Sequence, residues 1–252
     1  MTTAISEIKS EYNNCKPDDL PAFIDKYSSD TRAGVVSLCK KADKAIEDLK
    51  REIARTDVML TYEKQYNVYG YICGIDEVGR GPLAGPVVAG AVILPKDEPI
   101  LYLNDSKKLT EKKREELYDI IMEKAVATGI GEVSWEVIDE INILNATYEA
   151  MRMAIRNLSV TPDILLNDAV TIPKVEIKQI PIIKGDAKSA SIAAASIIAK
   201  VTRDRMMVEY DKIYPGYGFA GNKGYGSEEH IKALKTLGPT PIHRRSFIKN
   251  FV

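Results

Sequence analysis

Four acidic residues stand where apolar runs finish. Asp76 and Glu77 follow Ile72 to Ile75, Asp168 follows Ile164 to Leu166, and Asp186 follows the run Ile180 to Ile183. A carboxylate at the end of a buried run is costly to desolvate, so it must be solvated, paired or metal-bound. Taken singly, each is better read as a turn residue, because Asp commonly closes a strand through an Asx turn. Four together, separated by whole helices, read as one hard-oxygen set suited to Mg²⁺ or Mn²⁺. Two such ions can hold both the attacking and the leaving oxygen of a phosphoryl transfer. Asp76 and Glu77 are consecutive, and consecutive strand residues face opposite sides. Both reach one site only if the strand ends or bulges, which Gly79-Arg80-Gly81 allows.

That glycine-rich turn fits neither nucleotide fingerprint. It runs on into Pro82-Leu-Ala-Gly85 and a strand, whereas a dinucleotide site needs G-x-G-x-x-G opening a helix. Gly185-Asp-Ala-Lys-Ser189 lacks the earlier glycine of a Walker A loop. His230 and His243 are too far apart for HExxH, and no GxSxG occurs. What remains is a turn whose bare backbone admits a ligand closely, with one guanidinium beside it. Farther on, Tyr217, Phe219 and Tyr225 lie among five glycines with Lys223 interleaved, a pattern that can stack on bases or sugars and that equally suits a packed loop. Lys200 and Arg203 stand toward the far half of the alanine-rich stretch that begins at Ser189.

The elements that position these residues follow from periodicity. Val35, Leu38, Ala42, Ala45, Leu49, Ile53 and Leu60 recur at helical spacing, predicting one long amphipathic helix capped by Ser28-Ser-Asp-Thr31. Ile5 to Tyr27 reads as a helix pair split by Pro17 and Pro21. After Gly70, residues 71–76 and 86–94 read as a hairpin. A helix over 110–124, a strand over 129–133, a helix over 142–158, strands over 164–167 and 176–183, and a helix over 189–213 complete an α/β chain with a mixed sheet.

Composition agrees with an ordinary globular chain: 252 residues, 45% hydrophobic, 28% charged and a net charge of −1. The stretch from Ser189 to Val201 is far short of the ~20 apolar residues of a membrane helix, and the N-terminus has no secretory pattern, so the expected location is cytoplasmic. Cys15, Cys39 and Cys73 form no CxxC pair and read as reduced, structural thiols. Residues 223–252 carry six basic against two acidic side chains, compatible with a polyanionic ligand or with a solvated charged face.

The string Gly74-Ile-Asp-Glu-Val-Gly-Arg-Gly-Pro-Leu-Ala-Gly-Pro86 closely resembles the first motif of bacterial ribonuclease HII. Asn104-Asp-Ser-Lys-Lys-Leu109, Leu165-Leu-Asn-Asp168, Lys184-Gly-Asp-Ala-Lys-Ser189, the run Ala193 to Asp204, Lys223-Gly-Tyr-Gly226 and His243-Arg-Arg-Ser-Phe247 agree in order, over essentially all of residues 71–252. The Gly-Arg-Gly triplet favours this type over the related type HIII. The resemblance implies an RNase H-like mixed sheet flanked by helices (71–252) behind an N-terminal helical extension (1–70). It implies cleavage of the RNA strand of RNA-DNA hybrids and nicking 5′ of ribonucleotides embedded in duplex DNA, by two-metal hydrolysis with Mn²⁺ or Mg²⁺. Asp76, Glu77, Asp168 and Asp186 then fall on the metal-binding quartet. Gly79, Arg80 and Gly81 fall on the turn that senses the ribose 2′-hydroxyl, and Tyr225 on the tyrosine that stacks at the RNA-to-DNA junction. Lys107, Lys200 and Lys223 match positions near the phosphate backbone. Asn222 and Asn167 depart from the family pattern. The helices of residues 1–70 are left as a surface for a protein or nucleic-acid contact. Two rival readings are another two-metal, structure-specific nuclease and a nucleic-acid-binding module without catalysis.

Overall fold

A computed structural model describes residues 3–252, which form two compact units divided between Asp57 and Val58. The first contains α1 (Ile5–Asn14), α2 (Leu20–Tyr27) and most of α3 (Ala33–Met59). Its helices bury Ile8, Leu20, Phe23, Tyr27, Val35, Leu38 and Ala42 in a core of their own. Pro17 starts the short 3₁₀ turn that separates α1 from α2, whereas Pro21 sits in the first turn of α2 and splits nothing. Proline is tolerated there because the first amides of a helix have no intrahelical acceptor. The expected cap at Ser28 to Thr31 also differs: Asp30 bonds the Arg32 amide at 3.0 Å, and the helix opens at Ala33.

The second unit begins with the end of α3 and α4 (Thr61–Gln65), so residues 58–70, expected with the extension, pack instead with the sheet. Met59 joins one apolar cluster of this unit, and Tyr62, Tyr66 and Tyr69 pack on another with Ile72, Ile164 and Ile192. The sheet comprises β1 (Ile72–Val78), β2 (Val87–Ile93), β3 (Ala127–Val133), β4 (Ile164–Asp168) and β5 (Lys178–Ile182), in the order β3-β2-β1-β4-β5. The first three strands meander antiparallel, while β4 and β5 add in parallel to β1. A further helix, α5 (Glu111–Lys124), is capped by the Thr110 hydroxyl.

Two long helices cover the faces of the sheet. Against one lies α6 (Trp135–Arg156), burying Ala146, Ala150, Met151 and Ala154 on Cys73, Ile75, Val87 and Ala89. Against the other lies α7 (Ala190–Ile213), with Ala193, Ala194, Ile197 and Ile198 on Val92. The helix expected to start at Asn142 begins at Trp135 and is interrupted at Asn142, where φ is 66° and ψ 162°. The Asn142 side chain accepts the amides of Leu144 and Asn145, so this residue caps the second segment as a helix start would. Short helices α8 (Phe219–Asn222), α9 (Glu228–Leu237) and α10 (Arg245–Ile248) finish the chain. No helix among the described residues is long and apolar enough to cross a membrane.

Helix docking is close enough to exclude side chains from the sheet. A Cβ on Gly74 of β1 would lie 2.0 Å from the Ser191 carbonyl carbon, and one on Gly131 of β3 would lie 1.9 Å from the Ala150 oxygen. Gly131→Ala must therefore push α6 off the sheet. Overpacking of this kind costs about 1–3 kcal/mol, read as a lower urea midpoint with an unchanged m-value.

Candidate active site

Strand pairing brings the acidic ends together. Ile75 of β1 lies opposite Asn167 of β4, so the next residues along the two parallel strands are Asp76 and Asp168, and Asp168 lies opposite Ile182 of β5. Past β5 the chain reaches a 3₁₀ turn, Gly185–Ala187, that carries Asp186. Its Gly185 amide donates to Asp168 Oδ1 at 2.7 Å, fixing the third and fourth carboxylates relative to each other.

Asp76 lies on the face that packs against α7, with Gly74, while Glu77 alternates to the other face. β1 neither ends nor bulges between them, its pairing running on regularly to Val78, and what the two carboxyls share is electrostatic reach of Asp168. Burial pushes the Asp76 carboxyl well above the usual carboxylate range, Glu77 and Asp168 push it further, and the Ser196 hydroxyl opposes them. Burial also raises Glu77, against the pull of Arg80, whose guanidinium is 3.2 Å away. Asp186 is raised by burial and then by Asp105 and Asp168. Asp105 is thus a fifth acidic member that the sequence reading passed over. Its signal was present in Asn104-Asp-Ser-Lys, where it caps a 3₁₀ turn and accepts the Lys107 amide.

Around this concentration of negative charge, partial burial lowers Lys107, but Asp105, Asp76 and Asp186 outweigh it and raise the ammonium overall. Lys107 therefore lies within electrostatic reach of Asp105, Asp76 and Asp186. Lys200 is turned to Asp204 at 2.7 Å, and burial depresses it despite that partner. Lys223 takes a left-handed conformation, φ 52°, and bonds the Ala220 carbonyl. Among the described residues, no three His, Cys, Asp or Glu side chains gather closely enough to hold a metal ion. The donor set nonetheless suits a hard divalent ion. All its donors are oxygens, burial raises three of the carboxyls with a neighbouring carboxylate adding to each, and ions such as Mg²⁺ use one or two carboxylates and complete their shell with water and phosphate oxygens.

Beneath the Gly79-Arg80-Gly81 turn and the segment that follows it lie two buried arginines that, among the described residues, pair with no carboxylate. Arg244, 0% exposed, donates to the carbonyls of Gly79, Arg80, Gly85 and Pro86. Arg203, also 0% exposed, donates to Ala84, Pro86 and Lys223. Burial lowers Arg203 to about 10 and Arg244 to about 9, so both remain cations at neutral pH. Gly79 has φ +92°, and a Cβ there would lie 2.4 Å from Arg203 Nε, so only glycine fits. Tyr225 is 43% exposed, near Gly81 on one side and with the Arg203 guanidinium 6.0 Å from its ring centre. Arg244 thus belongs to the interior and not to the basic surface that residues 223–252 suggested. The two departures have structural work: Asn222 bonds the Tyr217 carbonyl and the Gly224 amide, and buried Asn167 bonds Val170 and Gln179.

Below the glycine loop, His230 and His243 face each other with Nε2 atoms 3.0 Å apart. The Thr240 amide must donate to His243 Nδ1, which places the His243 proton on Nε2, donating to His230; His230 Nδ1–H then donates to the Tyr225 carbonyl. Tyr217 and Phe219 pack around both rings. Neither imidazole is free to act as a base.

A family model described as Ribonuclease HII matches residues 73–250, and one described as Ribonuclease HII N-terminal domain matches residues 4–67. The Ribonuclease HII of Lachnoclostridium phytofermentans is 65% identical over 250 residues, covering 99% of this chain and 98% of its own. That of Clostridioides difficile is 50% identical over 251 residues, with the same coverage. Among solved structures, the ribonuclease H2 of Pyrococcus horikoshii OT3 gives a TM-score of 0.58 at 30% identity, covering 70% of this chain and 93% of that one. The RNase HII in the PCNA:RNase HII complex from Archaeoglobus fulgidus gives 0.59 at 27% identity, covering 71% and 96%.

Arg244→Lys replaces a four-way donor by one ammonium. It should lose about 3 kcal/mol of stability, the size of one or two charge-assisted hydrogen bonds, in thermal unfolding. Burial, and then His230, depress His243 to about 4, and burial lowers His230. Between the unfolded value near 6.5 and about 4, the unfolded chain binds protons that the native pair refuses, so stability must fall as pH drops through that window. Denaturation midpoints from pH 7 to 4.5 should show this slope, reduced in a His230→Gln, His243→Gln double variant.

Proposed function

The chain belongs to the ribonuclease HII family and is an endoribonuclease acting on RNA-DNA hybrids; we propose that Asp76, Glu77, Asp168 and Asp186 are its metal-binding catalytic residues. The observation that supports this most is the gathering of these carboxylates, from β1, β4 and the turn after β5, at one sheet edge beside the Gly79–Gly81 turn and Tyr225. When bound, two divalent ions, Mn²⁺ or Mg²⁺, supply an ionised water for in-line attack and neutralise charge on the leaving 3′ oxygen. The carboxylates hold those positions rigidly because strand pairing and the Gly185 amide fix their backbones. Lys107 lies where it balances negative charge that the acidic cluster leaves over. The phosphate attacked is the one 5′ of a ribonucleotide, giving a 3′-hydroxyl and a 5′-phosphate.

Selectivity for RNA follows from the turn. The Gly79 and Arg80 carbonyls are drawn inward by Arg244, with Arg203 holding those of Ala84 and Pro86 behind them, which leaves the narrow backbone of Gly79 and Gly81 to approach a 2′-hydroxyl. The exposed Tyr225 ring stands against Gly81, placed to stack on the neighbouring sugar. Arg80 leaves Glu77 to engage substrate, whereas Lys200 and Lys223 support the site through Asp204 and Ala220. The first compact unit, with its own core, offers a separate surface for a protein or nucleic-acid partner.

The test is a DNA duplex carrying one ribonucleotide beside an all-DNA duplex, with Mn²⁺ or Mg²⁺ and with EDTA. Wild type should nick only the first, 5′ of the ribonucleotide, and only with metal. Asp76→Asn and Asp186→Asn should each lower kcat by about 10³-fold or more, in keeping with loss of transition-state charge stabilisation, with unchanged circular dichroism. Full activity in either variant refutes the assignment, and cutting of both duplexes refutes the sugar-sensing turn.

A further inference from the structure

Resting on that reading of Asp168 and Asp186, we propose that Glu63 is a positioning residue for the metal site, although it lies on α4, ahead of the residues that match the catalytic family model. Its Oε1 atom accepts three hydrogen bonds at the start of α7: from Ser189 Oγ at 2.6 Å, the Ser191 amide at 2.9 Å and Ser191 Oγ at 2.6 Å. Its other oxygen is buried and has no hydrogen-bond partner among the described residues. A carboxylate so placed faces the positive end of a 24-residue helix and takes up an amide that has no intrahelical acceptor.

From there the connection to the acidic cluster is short. The Ser189 amide donates to the Gly185 carbonyl at 2.8 Å, and the Gly185 amide donates to Asp168 Oδ1 at 2.7 Å, with Asp186 between these two anchors. Glu63, Ser189, Gly185 and Asp168 therefore form a continuous chain of hydrogen bonds that sets where the Asp186 turn sits against β4. The α7 end has no freedom to compensate, because Ser191 backbone rests on Gly74, two residues before Asp76. Loosening Glu63 moves the carboxylates relative to one another and leaves each of them present. Outer groups that orient metal ligands typically change metal affinity by about 10–100-fold when removed.

The experiment is Mn²⁺ binding to the full chain without substrate, followed by the loss of free Mn²⁺ signal in electron paramagnetic resonance, alongside kcat and the apparent KM for Mn²⁺. Glu63→Ala should raise the Kd and that KM by about 10-fold, with kcat at saturating metal changed little. Glu63→Gln, which keeps an acceptor oxygen toward Ser189 and Ser191, should recover most of the affinity. Phe23→Ala removes packing in the separate core of the first unit, which holds no α7 residue, and should lower the Tm while leaving the Kd at the wild-type value. If Glu63→Ala does not fold, Glu63→Asp, one methylene shorter, gives the same readout with a smaller rise. Wild-type Mn²⁺ affinity in the Glu63 variants, with Asp186→Asn weakened, overturns the positioning role. Wild-type affinity in Asp186→Asn overturns the site reading beneath it.

Discussion

Mutual repulsion among carboxylates is the constraint around which this fold is arranged. Asp76, Glu77, Asp168 and Asp186 gain nothing from one another as neighbours, and burial makes the charged form of Asp76 costly in addition. Groups that repel stay together only when their backbones cannot move. The parallel pairing of β1 with β4, the glycine contact between β1 and α7, and the Gly185 amide on Asp168 each remove one freedom that would let the cluster relax. In the proposed reading, the same rigidity holds the charge density that hard cations require, so the instability of the cluster and the metal affinity proposed for it have one origin.

A second economy concerns the Gly79–Gly81 turn. A loop rich in glycine has high conformational entropy in the unfolded chain and little side chain to pack. Here order comes from below, through the carbonyls: Arg244, just before α10, bonds those of Gly79 and Arg80, and Arg203 on α7 bonds those of Ala84 and Pro86 just after the turn. The loop thus keeps a bare outer surface and a fixed shape together. His230 and His243 extend this order to Tyr225 by ending their directed hydrogen bonds on its carbonyl, leaving the ring itself exposed.

Much of this was legible in residue types. Acidic residues closing apolar runs, and a glycine triplet that fits no nucleotide fingerprint, mark chemistry because they are expensive or unusual where they stand. The succession of strands and helices along the chain and the mixed sheet followed from periodicity, whereas the order of strands within the sheet did not. What escaped reading did so for physical reasons. Arg244 lies in a basic stretch and its partners are main-chain carbonyls, which have no letter in a sequence. Asn142 has the capping bonds of a helix start, so the turn before it was invisible as helix. Glu63 is one acidic residue among many on a helical stretch, and only the folded chain places it 128 residues along, at Ser191. Lys200 sits at helical spacing from Asp204, and an i,i+4 pair competes with any reach toward a phosphate.

The pairing of Arg203 and Arg244 with carbonyls has a genetic consequence. An ion pair between side chains can be lost and restored by a second-site change, and charge reversal on both sides exposes it. Main-chain oxygens are the same whatever residue bears them, so neither arginine has a partner that could mutate to compensate. Drift is therefore open to the residues of the clasped loop that point away from the guanidiniums and closed to the arginines beneath it: the shape of the segment from Gly79 to Pro86 is encoded more than a hundred residues from the segment itself.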